Sequence, residues 1–207
     1  MAADLRLVLA SASPARLATL RSAGVDPEVI VSDVDEDAFV ASDVPGLVAQ
    51  LALAKASAVF ERTGGTGDLV VIGCDSLLEL DGEPMGKPAD AAQARERWLR
   101  MRGRTGHLHT GHQVIVRLAG ARAATTAVAT TEVEFADLSD AEVDAYIATS
   151  EPLRVAGAFT IDGLGGAYVT GISGDPHNVV GISLPLLRRM LADLGVPWHS
   201  LWGPAAG

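Results

Sequence analysis

The chain has 207 residues, of which 48% are hydrophobic and 20% are charged, so it is long and apolar enough to bury a substantial core. We expect one domain spanning residues 1–207. A formal net charge of −10 and a sequence pI near 4.8 exclude a broad nucleic-acid-binding surface, which requires clustered lysine and arginine. Recognition of phosphate is therefore expected to be local, and a nucleic acid polymer is not an expected partner.

Cysteine content and hydropathy indicate the compartment. Cys74 is the single cysteine, so no disulfide can form within the chain, which suits a reducing environment. The first six residues lack the basic stretch and apolar core of a secretory signal, and no run approaches about eighteen uninterrupted apolar residues. We therefore expect a cytoplasmic protein that does not bind a membrane.

The chain opens with alternating strand and helix signals. The apolar residues 7–10 predict a first buried strand. Ser13 followed by Pro14 is typical of an N-cap and the first residue of a helix. Apolar residues at helical spacing over 46–61 predict a second helix, and this helix carries Lys55.

The middle and end of the chain continue the alternation. The apolar run 69–74 predicts a strand with Asp75 inside it or at its end, and the chain stays extended over 77–80. Helices are predicted at 90–102, at 183–194 and from the capping box Ser139-Asp140-Ala141-Glu142 to about Ala148. Strands are predicted at 107–118 and 124–135. Turns and short strands are predicted over 157–174. This order predicts an α/β fold in which helices cover a sheet.

Two stretches of the sequence partly match familiar site patterns. Residues 82–87 contain the glycines and lysine of a P-loop, but the glycines are too close together and Pro88 replaces the Ser or Thr that binds magnesium. His107, His109 and His112 have strand spacing that would suit zinc, although no cysteine or further ligand lies nearby. A polar face of a surface strand is the alternative interpretation for these histidines.

The turn after the first strand contains groups that suit phosphate. Ser11, Ser13 and Arg16 place two hydroxyl groups and a guanidinium group next to the free amides of a helix N-terminus. Such a cradle would hold a phosphate through charge-assisted hydrogen bonds. Ordinary capping by Ser13 with a surface arginine explains the same local pattern, so both interpretations stay open.

Acidic residues provide candidates for binding a hard cation or for accepting a proton. Four of them lie close together: Asp33, Asp35, Glu36 and Asp37. Carboxylate oxygens of this kind suit a hard cation, but a solvated loop has the same composition. Asp75 follows an apolar strand, where a carboxylate is costly to bury without a partner, although it could also cap a neighbouring amide at a strand end.

The two lysines form a separate group of candidates. Of the 16 lysine and arginine residues, only Lys55 and Lys87 are lysines, so the chain uses arginine for most of its positive charge. A lysine in such a chain suits a position that needs a compact point charge, such as one next to phosphoryl oxygens. Chance is the alternative explanation for only two residues.

Taken in order, these residues resemble the Maf family of nucleotide pyrophosphatases over nearly the whole chain. The matching segments are Leu9-Ala10-Ser11-Ala12-Ser13-Pro14-Ala15-Arg16, Val34-Asp35-Glu36, Lys55-Ala56, Gly73-Cys74-Asp75-Ser76, Gly86-Lys87-Pro88, Glu151-Pro152, Ala156-Gly157 and Gly163-Leu164-Gly165-Gly166. The resemblance implies an elongated α/β fold like that of inosine triphosphatases, with a mixed twisted sheet, flanking helices and a cleft between two lobes. It also implies a homodimer.

The same resemblance implies a function and a set of site residues. It implies hydrolysis of nucleoside triphosphates, including modified or non-canonical ones, to a nucleoside monophosphate and pyrophosphate. Asp75 would accept the proton, and Glu36 with Asp75 would bind a divalent metal, Mg²⁺ or Mn²⁺. The substrate-binding residues implied are Ser11, Ser13, Arg16, Lys55, Lys87, Ser76 and Asp162. A nucleotide-binding regulator or interaction protein linked to cell division is the alternative function.

Substrate preference stays open on the sequence. Subgroups of the family differ at three positions, which correspond here to Ala15, Ser76 and Asp162. The uridine-type pattern has Arg, Thr and Gln at these positions, and the methylguanosine type has Trp, Gln and Glu, so this chain departs from both. Asp162 can accept a hydrogen bond from a base N–H group but cannot donate one when ionised.

Overall fold

A computed structural model describes residues 5–202; part of the segment used above to judge a secretory signal, residues 1–4, lies outside this range. The strands are β1 (Arg6–Ala10), β2 (Glu28–Val29), β3 (Leu69–Leu80), β4 (Glu83–Met85), β5 (Thr105–Leu118), β6 (Ala121–Phe135) and β7 (Val169–Ser173). The α-helices are α1 (Pro14–Ser22), α2 (Val44–Thr63), α3 (Ala91–Met101), α4 (Asp140–Ala148), α5 (Pro176–Val180) and α6 (Leu184–Asp193). Short 3-10 helices cover Glu36–Ala38, Pro152–Arg154, Ala156–Ala158, Leu164–Tyr168 and Trp198–Leu201.

The strands form one mixed sheet, and the chain divides into two compact units. The strand order is β2-β1-β3-β5-β6-β7, with β4 beside β3; β1 is parallel to β2 and β3, whereas β4 is antiparallel to β3 and β7 to β6. A two-residue turn joins β5 and β6, and both its residues, Ala119 and Gly120, have positive φ, as hairpin turns require. The first unit contains residues 5–75, 110–129 and 181–202, and the second contains residues 76–109 and 130–180.

The first unit has helices on both faces of its part of the sheet. Because side chains alternate along a strand, Val70, Ile72 and Cys74 face α1 and α6, in a buried cluster that includes Leu20 and Leu187. The opposite face of the same strand packs Leu69 and Val71 with Ala56, Val59 and Phe60 of α2. Asp75 has the parity of Val71, so it lies on the face that α2 covers.

Two glycines allow α2 to lie very close to the sheet. A Cβ atom on Gly73 would be 2.5 Å from the carbonyl oxygen of Ala52 and 2.8 Å from the Cβ of Ala56. A Cβ atom on Gly111 would overlap the carbonyl group of Val48. The absence of a side chain at Gly73 lets α2 lie close to β3, which carries Asp75, and the absence of one at Gly111 does the same for β5.

The second unit is built around a buried aromatic group. Trp98 of α3 is fully buried and packs edge-to-face against Phe135, Tyr146 and Tyr168 at centroid distances of 5.7, 5.6 and 6.0 Å. Its indole N–H donates a hydrogen bond of 2.8 Å to the carbonyl oxygen of Ala158, so its polar atom is satisfied. This cluster fixes α3 and α4 on their part of the sheet.

Most predicted elements are confirmed, with differences at the ends of elements and in short segments. The α/β class is correct, Ser13 caps α1, and Ser139 with Glu142 forms the predicted capping box of α4. Asp75 lies inside β3, which continues without a break to Leu80. The sequence analysis missed β2, β4 and α5, because elements of two to five residues carry too little periodicity to detect.

Helix α2 also meets the length and composition criterion for a membrane span. It has 20 residues and a mean hydropathy of 1.2. Core helices of globular proteins meet the same criterion, and α2 buries Ala56, Val59 and Phe60 in a cluster with strand residues. The packing of α2 therefore agrees with a core helix.

Replacement of Gly111 by alanine tests the close packing of α2. We expect Gly111→Ala to lower the free energy of unfolding by about 1–3 kcal/mol or more, because the added methyl group would overlap the Val48 carbonyl group. Gly67→Ala is the matched control, since its Cβ would meet no atom within 4 Å. Urea unfolding measures both values, and equal stabilities of the two variants would contradict the packing described here.

Candidate functional site

Asp75 and Lys55 form a buried ion pair in the first unit. The Nζ atom of Lys55 lies 2.5 Å from Oδ1 of Asp75, and the residues are 8% and 6% exposed, respectively. Lys55 comes from α2 and Asp75 from the face of β3 that α2 covers. A buried charge requires a partner, and each of these residues supplies the other's. The interpretation of Asp75 as a strand-end cap is therefore wrong.

Glu36 completes a group of two carboxylates around one cation. Its Oε1 atom lies 2.7 Å from Nζ of Lys55, and its side chain is 55% exposed, whereas that of Asp75 is 8% exposed. Glu36 begins a short 3-10 helix whose N-cap is Asp35, and the Asp35 side chain accepts a hydrogen bond from the Asp37 amide. Of the predicted acidic cluster, Glu36 contacts Lys55, and Asp33 instead pairs with Arg62.

Arg16 is buried and holds the loop that contains Ser11. Its Nε donates to the Gly181 carbonyl oxygen at 2.7 Å, and its Nη1 donates to the Cys74 carbonyl oxygen at 2.9 Å and to Ser11 Oγ at 3.1 Å. The alternative of a surface arginine is therefore wrong, because Arg16 is only 9% exposed. Ser13 is the N-cap of α1, as the second interpretation of that turn predicted, and its amide donates to Ser11 Oγ.

Burial and charge act in opposite directions on the titrating groups near Asp75. Burial raises the pKa of Asp75 above its ordinary value, and the positive charges of Lys55 and Arg16 only partly oppose that rise. Burial likewise raises the pKa of the adjacent Cys74 thiol to about 11. Cys74 is therefore a neutral buried group, and burial makes the ionised carboxylate of Asp75 a stronger base than an exposed aspartate.

Three further predicted residues belong to the second unit. Ser76 follows Asp75 in β3, so its side chain points to the opposite face of the strand. Lys87 is exposed in the segment between β4 and α3, and Asp162 is exposed just before the 3-10 helix Leu164–Tyr168. The structure therefore brings Ser11, Arg16, Glu36, Lys55 and Asp75 together, while the roles of Ser76, Lys87 and Asp162 stay predictions.

The three histidines do not form the zinc module considered above. Both ring nitrogens of His109 lie 2.9 Å from protein oxygens, of Thr130 and Glu79. The Nε2 atom of His112 accepts a hydrogen bond from the Ser183 amide. No group of three His, Cys, Asp or Glu residues suited to a metal ion occurs within residues 5–202. The alternative of a surface strand is wrong for His109 and His112, which are 5% and 0% exposed.

Several important contacts could not be predicted from the sequence. The acceptors of Arg16 include two backbone carbonyl groups, of Cys74 and Gly181, which any residue type would supply. The sequence identifies Glu151 only as part of a motif, whereas in the structure its carboxylate accepts hydrogen bonds from several groups. The only local feature of the sequence that distinguishes Glu151 is its position directly before Pro152.

The fold and this group of charges define a class of protein. It is an α/β protein in which a buried carboxylate of the sheet meets a helix lysine shared by two carboxylates, with a buried helix arginine nearby, a combination suited to phosphoryl groups. The chain belongs to the Maf-like protein family, whose family model matches residues 6–194.

Relatives at more than half identity support this membership. The chain is 57% identical over 200 residues to a protein of Salinispora tropica, covering 96% of this chain and 88% of that protein. It is 53% identical over 206 residues to a protein of Cutibacterium acnes, covering 97% of this chain and 96% of that protein. Both are named nucleoside triphosphate pyrophosphatase, the name of a hydrolase that acts on acid anhydrides, and the predicted enzyme class is thereby confirmed.

A weaker similarity is found to a solved structure. The Staphylococcus aureus Ham1 protein matches with a TM-score of 0.42 and 14% sequence identity, covering 95% of this chain and 93% of that chain. Similarity at this level carries no conclusion about activity or substrate. The assignment to the family rests on the sequence relationships. The α/β class rests on the strands and helices themselves.

Removal of the Lys55 charge tests the buried ion pair. We expect Lys55→Met to lower the free energy of unfolding by about 3–5 kcal/mol at neutral pH, because Asp75 would be left as a buried charge without its partner. The exposed pair of Arg21 and Asp26 supplies the matched control, and Arg21→Met should change stability by about 1 kcal/mol or less.

The pH dependence of the Lys55→Met deficit gives a second check. Burial raises the pKa of Asp75 in the folded chain, and loss of Lys55 removes a charge that opposes the rise. Above the unfolded pKa of about 3.9, both folded proteins keep a proton that the unfolded state has released, but the variant keeps it to a higher pH. The deficit therefore grows as the pH rises from the folded-state pKa of Asp75 in the wild type through its higher folded-state pKa in the variant. Urea unfolding at several pH values measures this, and a deficit independent of pH would contradict it.

Proposed function

We propose that this protein hydrolyses nucleoside triphosphates between the α and β phosphates, giving a nucleoside monophosphate and pyrophosphate. The observation that carries the proposal is the lysine held between two carboxylates, Asp75 and Glu36, with the buried Arg16 bonded to the residue before Asp75. The names of the relatives agree with this reaction. Modified or non-canonical nucleotides are included in the proposed substrates.

Asp75 is the proposed proton acceptor. It lies inside a buried part of β3, and its carboxylate accepts a hydrogen bond from Lys55, so its position is set before substrate binds. Burial raises its pKa above the ordinary value, which makes its ionised form a stronger base toward an attacking water molecule. Lys55 supplies a compact positive charge that stabilises negative charge developing on phosphoryl oxygens.

Other charged and polar residues are proposed to bind the substrate. Ser11 and Ser13 lie in the turn before α1, where backbone amides and hydroxyl groups suit phosphate. Arg16 donates three hydrogen bonds to protein acceptors, so its proposed contribution is to fix Ser11 and to supply positive charge. Lys87 is proposed to bind phosphate. Ser76 and Asp162 are proposed to contact the nucleoside.

The donor set fits a divalent cation that is shared with the substrate. Glu36 and Asp75 already hold one cationic group between them, the ammonium group of Lys55. Mg²⁺ commonly takes one or two carboxylates and completes its shell with water and substrate phosphates, so a third protein carboxylate is not required. When bound, Mg²⁺ or Mn²⁺ would neutralise phosphate charge and make a water molecule more acidic. We propose that Glu36 and Asp75 hold this metal only together with the triphosphate.

The surroundings of the enzyme are also proposals. A reducing cytoplasm suits the buried thiol of Cys74 and the single-cysteine composition. A homodimer is proposed from the family resemblance. The absence of a nucleic acid partner is proposed from the net charge of −10, and no membrane partner is proposed. Analytical ultracentrifugation of the purified chain tests the dimer, and a monomer at all concentrations would contradict it.

Conversion of Asp75 to asparagine tests the proposed proton acceptor. We expect Asp75→Asn to lower kcat by about 100- to 10,000-fold, because the amide cannot accept the proton. Pyrophosphate release over a nucleotide panel with Mg²⁺ or Mn²⁺ measures the effect. Asp81→Asn is the matched control, since Asp81 is exposed and directly follows the same strand.

The outcome of this assay separates the alternatives. An Asp75→Asn variant that is folded and retains near-wild-type turnover would show that another group accepts the proton. Tight nucleotide binding by the wild-type protein without any turnover would instead favour the nucleotide-binding regulator.

Calorimetric titration of metal tests the shared cation site. We expect Mn²⁺ to bind the free protein weakly and to bind at least about tenfold more tightly when a non-hydrolysable nucleoside triphosphate is present, because phosphate oxygens complete its shell. Glu36→Gln should reduce this gain, whereas Glu61→Gln, in an exposed ion pair with Arg122, should not. Equally tight binding with and without nucleotide would contradict the proposal.

A further inference from the structure

The carboxylate of Glu151 is the hydrogen-bonding centre of a loop in the second unit. Its Oε1 atom accepts hydrogen bonds from the Thr160 hydroxyl at 2.5 Å, the Tyr146 hydroxyl at 2.9 Å and the Gly165 amide at 3.1 Å. Its Oε2 atom accepts one from the Leu164 amide at 3.1 Å. Four donors from three parts of the chain therefore converge on one side chain.

These donors lie on both sides of Asp162. Thr160 lies two residues before Asp162. Its hydroxyl donates a hydrogen bond to Glu151, and its amide donates one of 3.2 Å to the Tyr146 hydroxyl. Leu164 and Gly165 are held two and three residues after it, through their amides. The backbone that carries Asp162 is therefore fixed at both ends, although the Asp162 side chain itself is exposed.

The glycines of this loop allow it to close around the carboxylate. A Cβ atom on Gly163 would be 2.8 Å from Oε2 of Glu151. A Cβ atom on Gly165 would overlap the Tyr146 hydroxyl, and one on Gly166 would be 2.6 Å from the Ile161 carbonyl oxygen. Side chains at these positions would clash with Glu151, with Tyr146 or with the backbone of the loop itself, so the glycines allow the closed loop.

Glu151 is ionised in this arrangement. Burial acts to raise its pKa, but the hydrogen bonds from Thr160, Leu164, Gly165 and Tyr146 together outweigh burial and hold the pKa below the ordinary value. Hydrogen bonds to an ionised acceptor are stronger than those between neutral groups. The loop is therefore held by a charge, and loss of the charge alone should loosen it.

We propose that Glu151 is a positioning residue that fixes Asp162 and thereby sets the selectivity of the enzyme for the nucleobase. This inference rests on the proposed function, in which Asp162 contacts the nucleoside. Glu151 acts only through the loop and has no proposed contact with phosphate, so it should affect discrimination between bases and leave hydrolysis of the preferred nucleotide largely intact.

The test is a panel of nucleoside triphosphates assayed with the wild-type protein and with Glu151→Gln. Glutamine keeps the size of the side chain but has no charge, and its amide nitrogen cannot accept a hydrogen bond from a backbone amide. We expect the ratio of kcat/KM between the best and the second-best nucleotide to fall by about tenfold, with the change mainly in KM. Glu96→Gln, an exposed glutamate of the same unit, is the matched control.

A double-mutant cycle distinguishes positioning from general loosening of the fold. If Glu151 acts through Asp162, then Glu151→Gln should change the selectivity ratio no further in an Asp162→Ala background. Thr160→Val removes one donor and should shift the ratio in the same direction by a smaller factor, which keeps the test valid if Glu151→Gln unfolds. Thermal unfolding of each variant checks folding.

The outcomes separate this inference from the proposed function. Wild-type protein without turnover on any nucleotide would refute both. Selective turnover by the wild type that is unchanged in Glu151→Gln and Thr160→Val, or additive effects in the double-mutant cycle, would overturn the role of Glu151 alone. An equal loss of kcat for every nucleotide would also overturn it, because that is the result of a purely structural role.

Discussion

The ion pair between Lys55 and Asp75 is the interaction on which the rest of this structure depends. A carboxylate inside a buried strand is costly, and the cost is offset only if a cation reaches it at hydrogen-bond distance. That distance requires α2 to lie very close to β3, which Gly73 allows by presenting no side chain to Ala52. The strand parity that places Leu69 and Val71 in the core on the α2 side places Asp75 on that side too. Packing and chemistry are therefore set by one pattern in the sequence.

The residues around this pair are arranged so that charge is held in place before any substrate arrives. Arg16 donates hydrogen bonds to the carbonyl oxygens of Cys74 and Gly181 and to the hydroxyl oxygen of Ser11. Groups fixed in this way need little reorganisation when negative charge develops on a phosphoryl oxygen, which is how preorganised sites lower a barrier. Glu36 differs, because its side chain is 55% exposed and lies on a short 3-10 helix. It is the member of the group for which we propose an exchange of the Lys55 ammonium for a metal cation.

Local signals in the sequence predicted the elements, and the ordered motifs predicted the family, but neither predicted how the side chains meet. The capping box at Ser139 and the Ser13-Pro14 helix start depend on residues within one turn, so they are visible in the sequence. The burial of His112 depends on the Ser183 amide, 71 residues away, so the expectation of a surface strand was wrong there. The role of Glu151 depends on a loop closed by glycines, and the sequence showed the glycines without showing what they surround. For Asp75, the local pattern left a strand-end cap open, and the structure shows instead a buried ion pair with Lys55 inside β3.

The measurement that tests the central claim most directly is the fate of oxygen from isotopically labelled water during hydrolysis of a nucleoside triphosphate. If the water activated at Asp75 attacks the α phosphorus, the label will appear in the nucleoside monophosphate, and unlabelled pyrophosphate will be released in equal amount. Mass spectrometry of the products resolves this in a single turnover. Label in pyrophosphate, or release of orthophosphate with a nucleoside diphosphate, would contradict the account.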